Sequence, residues 1–154
     1  LDDIVLDEAR RLREATGRRP VAIDTATVSA AQVLGSSGSL ARAIRNVLDN
    51  AGRYATTTVT VSLTETDRRA RLTISDDGPG IDPAHHDLVF QRFTRLDPAR
   101  TRTRTGDAAT GTGLGLAIAH DIVTAHDGTI TLDPGYSAGA RFVIDLPAAP
   151  AVAE

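Results

Sequence analysis

The chain has 154 residues, 41% of them apolar, which suits one domain with one buried core. A formal net charge of −3, with both signs mixed along the chain, gives no pull toward nucleic acid or an anionic membrane surface. The absence of cysteine excludes disulfides, a thiolate nucleophile and thiolate-ligated zinc, and no apolar run approaches the roughly 18 residues of a bilayer span.

The opening LDDIVLDEAR is acidic and unlike a signal sequence, so a soluble, cytoplasmic stretch is expected. A start at Leu1 and a chain without methionine are what a piece of a longer protein would show.

From Asp3 to about Ala15, Val5, Leu6, Ala9 and Leu12 recur at helical spacing, and Gly17 with Pro20 ends the pattern. VAIDTAT, 21–27, alternates as a strand with Val21, Ile23 and Thr25 on one face. After the Gly/Ser cluster at 35–39 comes the clearest helix, 40–54, with Leu40, Ile44, Val47, Leu48 and Ala51 as its core stripe and Ser39 as its expected cap. Residues 57–63 and 69–75 alternate as two strands of a hairpin turning at 65–68.

Beyond the Gly-Pro-Gly break at 78–80 the reading is a short helix over 83–93, then a long mobile loop over 97–110, where no apolar period exists. Leu114, Ile118, Ile122 and Ala125 restore a helical stripe that Gly128 ends. Strands at 129–132 and 140–146 close the fold, and residues 148–154 read as a flexible tail after a domain over 1–147. This order lacks regular βαβ alternation. It implies an α+β fold: a two-layer sandwich of a mixed, mainly antiparallel sheet with helices on one face.

Four clusters carry chemistry. In RNVLDNAGRY, Asn46, Asn50 and Arg53 share a helix face at about 220–280° from Leu40, apart from the apolar stripe at about −20° to +80°. Alone, that face reads as solvated, but two asparagines inside one helix ask for a reason. An asparagine oxygen is a neutral hard ligand suited to Mg²⁺, and an arginine one turn on offers a cation to phosphate.

In SDDGPGI, Asp76 ends a strand, where its carboxylate can accept from an exocyclic amine. Gly78 and Gly80 open the backbone and Ile81 can pack on a flat base, although a plain turn is the commoner meaning of such residues. In VFQRFTR, Phe90 and Phe93 are two of only five aromatic residues, and core anchoring is the simpler reading. In GTGLGLAI a glycine-rich turn, Gly111 to Gly115, runs into a helix whose first N–H groups can hold phosphate. It matches neither the dinucleotide fingerprint nor the Walker A loop.

In this order RNVLDNAGRY, DDGPGI, VFQRF and GTGLGLAI resemble the N, G1, F and G2 boxes of histidine kinase ATP-binding domains, within the family shared with gyrase, Hsp90 and MutL. HDGTITLDPGYSAGARFVIDLP resembles the closing segment of such domains. The resemblance implies a Bergerat-type fold with a mobile lid over ATP.

It implies Mg²⁺ at Asn50, with Asn46 supporting the phosphate and metal region, Arg53 contacting phosphate and Tyr54 beside the nucleotide. Asp76 would recognise the adenine amine, with Gly78, Gly80 and Ile81 lining the base pocket. Gly111, Thr112, Gly113, Leu114, Gly115 and Leu116 would face the phosphates, Phe90 and Phe93 would anchor the other end of the lid, and Arg92 or Arg95 would reach phosphate on closure. Asp77 stands where Asn is common, Arg53 where Lys is common, and His126-Asp127-Gly128 where His-Gly-Gly is frequent.

Hydrolysing members of the family carry Glu four residues before the metal-binding Asn, as general base; here that residue is Asn46, whose amide cannot take a proton from water. The γ-phosphate is therefore expected to go to a histidine. None of His85, His86, His120 and His126 lies in an HExxxP-like acceptor sequence, so the acceptor is expected on a separate dimerisation domain, with a response regulator downstream. An isolated domain of this kind should be monomeric and touch neither nucleic acid nor membrane. A scaffold or sensing module without transfer, and an anti-sigma-factor type serine kinase, are the alternatives.

Overall fold

A computed structural model of the chain describes residues 1–17, 19–93 and 113–151. The elements are α1 (Asp2–Ala15), β1 (Ala22–Val28), α2 (Ser37–Tyr54), β2 (Thr58–Thr66), β3 (Arg69–Asp76), α3 (Gly115–Ala125), β4 (Thr129–Leu132) and β5 (Arg141–Pro147). The five strands form one sheet in the order β1-β2-β3-β5-β4. β1 runs parallel to β2, with α2 as the crossover, and the other neighbours are antiparallel. Among the described residues no helix is long and apolar enough to cross a membrane.

Period two does the sorting in the strands. Val59, Val61 and Leu63 of β2, Leu72 and Ile74 of β3 and Phe142 of β5 are almost fully buried, while Thr60, Thr64 and Arg71 stay exposed. The β2–β3 hairpin turns on Asp67 and Arg68, both left-handed at φ 51° and 61°, as a two-residue turn matched to strand twist requires. All five stripe residues expected on α2 are buried, joined by Ala43.

Four local expectations need correction. The cap of α2 is Ser36, whose hydroxyl accepts the N–H of Ser39; Ser39 lies inside the first turn. Residues 83–93 form two 3₁₀ turns, Pro83–His85 and Leu88–Phe90, in place of one helix. On α3 the deepest residues are Ala119 and Val123, whereas Ile118 and Ile122 are half-buried and Ala125 is exposed. Small side chains let α3 approach closely, so bulk misplaced the buried face. The left-handed residue that ends α3 is Asp127, φ 57°, ahead of Gly128.

α1 differs from its apolar pattern in one instructive way: Leu6 is exposed and Glu8 is buried. Arg45 of α2 grips Glu8 with Nε and Nη2 at 2.9 and 2.8 Å, and Arg11 adds Nε at 2.8 Å and reaches Asp49 at 2.6 Å. Chiefly because Arg45 donates to it, the Glu8 carboxyl is held below its ordinary value. A depressed folded-state pKa stabilises above the unfolded value and is lost as pH falls through the folded one. Urea unfolding of wild type and Glu8→Gln should therefore differ most near neutral pH, and the gap should close as pH falls below the ordinary glutamate range.

His126 closes the far end of the helix pair. The Ser36 N–H donates to Nε2 at 3.2 Å, so Nδ1 carries the proton and donates to the Ile122 carbonyl at 2.7 Å. Past β5, Ala148 and Ala149 donate to the carbonyls of Arg68 and Gln32 at 2.9 and 2.7 Å.

Candidate functional site

The row on α2 stands as its spacing implies. Asn46 and Asn50 are half-buried, and Arg53 and Tyr54 are exposed at the C-terminal end of the helix. Asn46 Nδ2 donates to the Gly115 carbonyl at 3.0 Å, joining the middle of α2 to the start of α3. Among the described residues that start has no side-chain cap: Leu114 occupies the cap position and Gly113 is left-handed at φ 70°. Its orphan N–H groups thus lie beside Asn46, where the dipole of α3 favours negative charge. Leu116 is half-buried and packs on the core.

Asp76 is only 2% exposed at the end of β3. Its Oδ1 accepts the N–H of Gly78 at 2.9 Å and that of Ala140 at 3.3 Å, and its own N–H donates to the Ala140 carbonyl at 2.9 Å. Burial pushes its carboxyl above the usual range, against the lowering effect of those two N–H donors. A buried acceptor at a strand end, flanked by apolar walls, suits an amine-bearing base.

Two glycines let the backbones come this close. A Cβ on Gly78 would sit 2.1 Å from the Tyr54 carbonyl oxygen, and one on Gly139 would sit 1.9 Å from that of Asp76. The Tyr136 hydroxyl donates to the same Asp76 carbonyl at 3.5 Å, and its ring carries the Arg141 guanidinium at 4.1 Å. Gly80 and Ile81 line a cleft of about 390 Å³, opposite Tyr136, Ser137 and Gly139. His86 lines it too, whereas Asn46, Asn50, Arg53, Tyr54, Asp76 and Gly78 do not.

The two phenylalanines part company. Phe90 stacks edge-on against Phe142, with centroids 6.2 Å apart, and lies 5.8 Å from the His120 ring. Phe93 is 73% exposed with φ 63°, and its N–H donates to the Gly113 carbonyl at 2.9 Å. A spacing of three puts residues on one face only in a helix, and this segment is not one. Arg92 pairs with Asp121 of α3 at 2.8 Å. Arg95, Gly111, Thr112 and the expected mobile loop at 97–110 lie outside the described residues.

Asp77, Gly139 and Ala140 carry more of the site than their sequence suggested. Asp77 showed only as a departure from a pattern, Gly139 only as part of the closing segment and Ala140 only as the opening of a strand; the signal available was a glycine just before an apolar strand start.

A sheet covered on one face by helices, an uncapped helix start and a buried strand-end carboxylate define a nucleotide-binding α+β domain, and the comparisons agree. Residues 35–150 match the model of the histidine kinase-, DNA gyrase B- and HSP90-like ATPase family, and the chain belongs to that family. It is 45% identical to the sensor protein RstB of Escherichia coli K12 over 106 residues, which are 69% of this chain and 23% of that protein. It is 39% identical to the signal transduction histidine-protein kinase/phosphatase MprB of Mycobacterium sp. strain KMS over 126 residues, 77% of this chain and 23% of that protein. The solved structure of a mycobacterial sensor histidine kinase MprB superposes with a TM-score of 0.80 at 35% identity, covering 96% of this chain and 94% of that one. The chain thus spans about a quarter of the length of these two curated relatives.

Proposed function

We propose that the chain binds Mg-ATP and acts as the catalytic domain of a cytoplasmic two-component sensor kinase, giving the γ-phosphate to a histidine on a separate dimerisation domain. A response regulator would take the phosphoryl group next. The observation that carries this reading is the meeting of three features: buried Asp76, the Asn46–Asn50–Arg53 row, and the uncapped start of α3 tied to that row through the Asn46–Gly115 bond.

In this reading Asp76 accepts the adenine amine, with Gly78, Gly80 and Ile81 around the base, while Tyr54 and Leu116 flank the nucleotide. Arg53 and the N–H groups of Gly113 to Leu116 hold the phosphates. Phe90 anchors the segment leading into the lid against Phe142, and Arg92, released from Asp121, is within the same segment. The Asn50 amide oxygen is a hard neutral donor and fits Mg²⁺, a cation that supplies charge neutralisation on the β- and γ-oxygens when bound.

Transfer breaks the bond between the γ-phosphorus and the β,γ-bridging oxygen, which leaves with ADP, as an imidazole nitrogen of the acceptor bonds to phosphorus. The acceptor comes from outside this chain, so the residues here position and neutralise charge. Asn46 spends its amide donor on Gly115 and offers no base to water, which favours transfer over hydrolysis.

The test is calorimetric titration with ATP, with and without Mg²⁺, followed by incubation with a histidine-bearing dimerisation domain of a relative. Binding, a changed metal dependence in Asn50→Asp and phosphohistidine in trans are the expected results. Binding without any transfer to an intact acceptor would leave a nucleotide-sensing module.

A further inference from the structure

Asp77 follows the base-reading Asp76 directly, yet it faces the opposite way. Its Oδ1 accepts the backbone N–H groups of Thr56, Thr57 and Thr58 at 2.8, 2.9 and 3.1 Å. Its Oδ2 accepts the Thr57 N–H at 3.1 Å and the Thr57 hydroxyl. Both oxygens are thereby committed to the three residues that carry the chain from the end of α2 into β2. These donors, led by the Thr57 hydroxyl, hold the Asp77 carboxyl far below the usual carboxylate range.

The next residue completes the joint. Gly78 has no Cβ because the Tyr54 carbonyl occupies that space, and its N–H turns back to Asp76 Oδ1. From the other side the Arg19 guanidinium donates to the carbonyls of Arg53 and Ala55. The last turn of α2, which bears Asn50, Arg53 and Tyr54, is therefore clasped between two charged side chains, and the negative one belongs to the turn that reads the base.

We infer that Asp77 is a positioning residue of the nucleotide site, fixing the distance between the base pocket at Asp76 and the phosphate and metal face of α2. This rests on the ATP-binding reading above and deepens it. The two halves of an ATP molecule are covalently linked, so a site that binds both must hold its own halves at one spacing. A hydrogen-bonded carboxylate between them supplies that spacing without touching ligand.

The geometry also specifies which replacements succeed. Asparagine keeps Oδ1 for the three N–H groups, and its amide can donate to the Thr57 hydroxyl, which is free to turn and accept. Alanine abandons three backbone donors. Glutamate keeps the charge but carries the oxygens one methylene further out, displacing residues 56–58 from Asp76.

The experiment compares ATP and adenosine binding to the folded domain for wild type, Asp77→Asn, Asp77→Ala and Asp77→Glu, with Asp76→Asn as control. Adenosine samples the base pocket alone, whereas ATP needs both halves. Asp77→Ala and Asp77→Glu should lose about tenfold or more in ATP affinity and less than about threefold for adenosine, with Asp77→Asn near wild type for both. If Asp77→Ala does not fold, Asp77→Glu carries the test.

A purely structural role would lower ATP and adenosine binding in equal measure. That result, or wild-type ATP affinity in both Asp77→Ala and Asp77→Glu, overturns the inference while wild-type binding and the Asp76→Asn loss still uphold the ATP reading. Failure of wild type to bind ATP, or undiminished binding by Asp76→Asn, removes the ATP reading itself.

Discussion

Asp76→Asn is expected to abolish detectable ATP binding while leaving the domain as stable as wild type, or more so. The carboxylate is buried, and its nearest partners are two backbone N–H groups on Oδ1. Asparagine keeps that oxygen and both bonds, but its second atom becomes an amide that points a donor at the donor of an adenine amine. Losing a bond to a charged acceptor and leaving a buried donor unmatched should cost on the order of 3 kcal/mol or more, about two decades in affinity.

Stability moves the other way. Burial raises the Asp76 carboxyl, so its folded-state value lies above the unfolded one. A raised group stabilises fully below the unfolded value and loses that contribution as pH rises through the folded value, so at neutral pH the empty site bears an ionised carboxylate that the fold disfavours. The neutral amide removes this strain. Titration calorimetry and thermal unfolding on the same preparation check both halves; ATP affinity within a few-fold of wild type would refute the assigned role, and a large fall in melting temperature would show the carboxylate to be structural.

Gly139→Ala should damage folding and binding together. The added methyl would lie 1.9 Å from the Asp76 carbonyl oxygen and 2.8 Å from its carbon, atoms of a paired strand that cannot rotate away. Overpacking of this kind costs about 1–3 kcal/mol, and relief requires the loop before β5 to lift off Asp76, taking the Ala140 N–H with it. Gly38→Ala, where nothing lies within 4 Å, is the matched control and should be neutral. Denaturant unfolding gives the first effect, and ATP titration at low temperature, where the variant is folded, gives the second. Wild-type behaviour in both would mean that the two strand ends are not in contact in solution.

Much of this was legible because periodicity reports burial. The stripe from Leu40 to Ala51, the hairpin around Asp67 and the alternating closing strands each say which face turns inward, and the polar row on α2 that the spacing marked meets the glycine-rich turn through Asn46 and Gly115. What escaped the sequence is set by contacts between distant segments. Glu8 sits in an apolar position because Arg45, 37 residues on, neutralises it. Asp77 looks like a ligand from its neighbour yet serves the backbone of Thr56 to Thr58, and Gly139 looks like a turn residue yet is small because of Asp76. Phe93 shows the converse failure: core anchoring was the simpler reading for both phenylalanines, but Phe93 lies past the 3₁₀ turn that ends at Phe90 and is exposed.

The strand order has a consequence for how the chain matures. β5, the last of the described strands in sequence, is second from one edge of the sheet, between β3 and β4, and its Asp145 meets Arg69 from 76 positions away. During synthesis, α1 through β3 can assemble while the outer edge of β3 waits, its N–H and C=O groups unpaired, for β5. The Ala140 N–H that aligns Asp76 arrives only with that strand. A ligand that needs the aligned carboxylate therefore selects chains in which β5 has paired with β3, and its binding free energy is added to that step of folding.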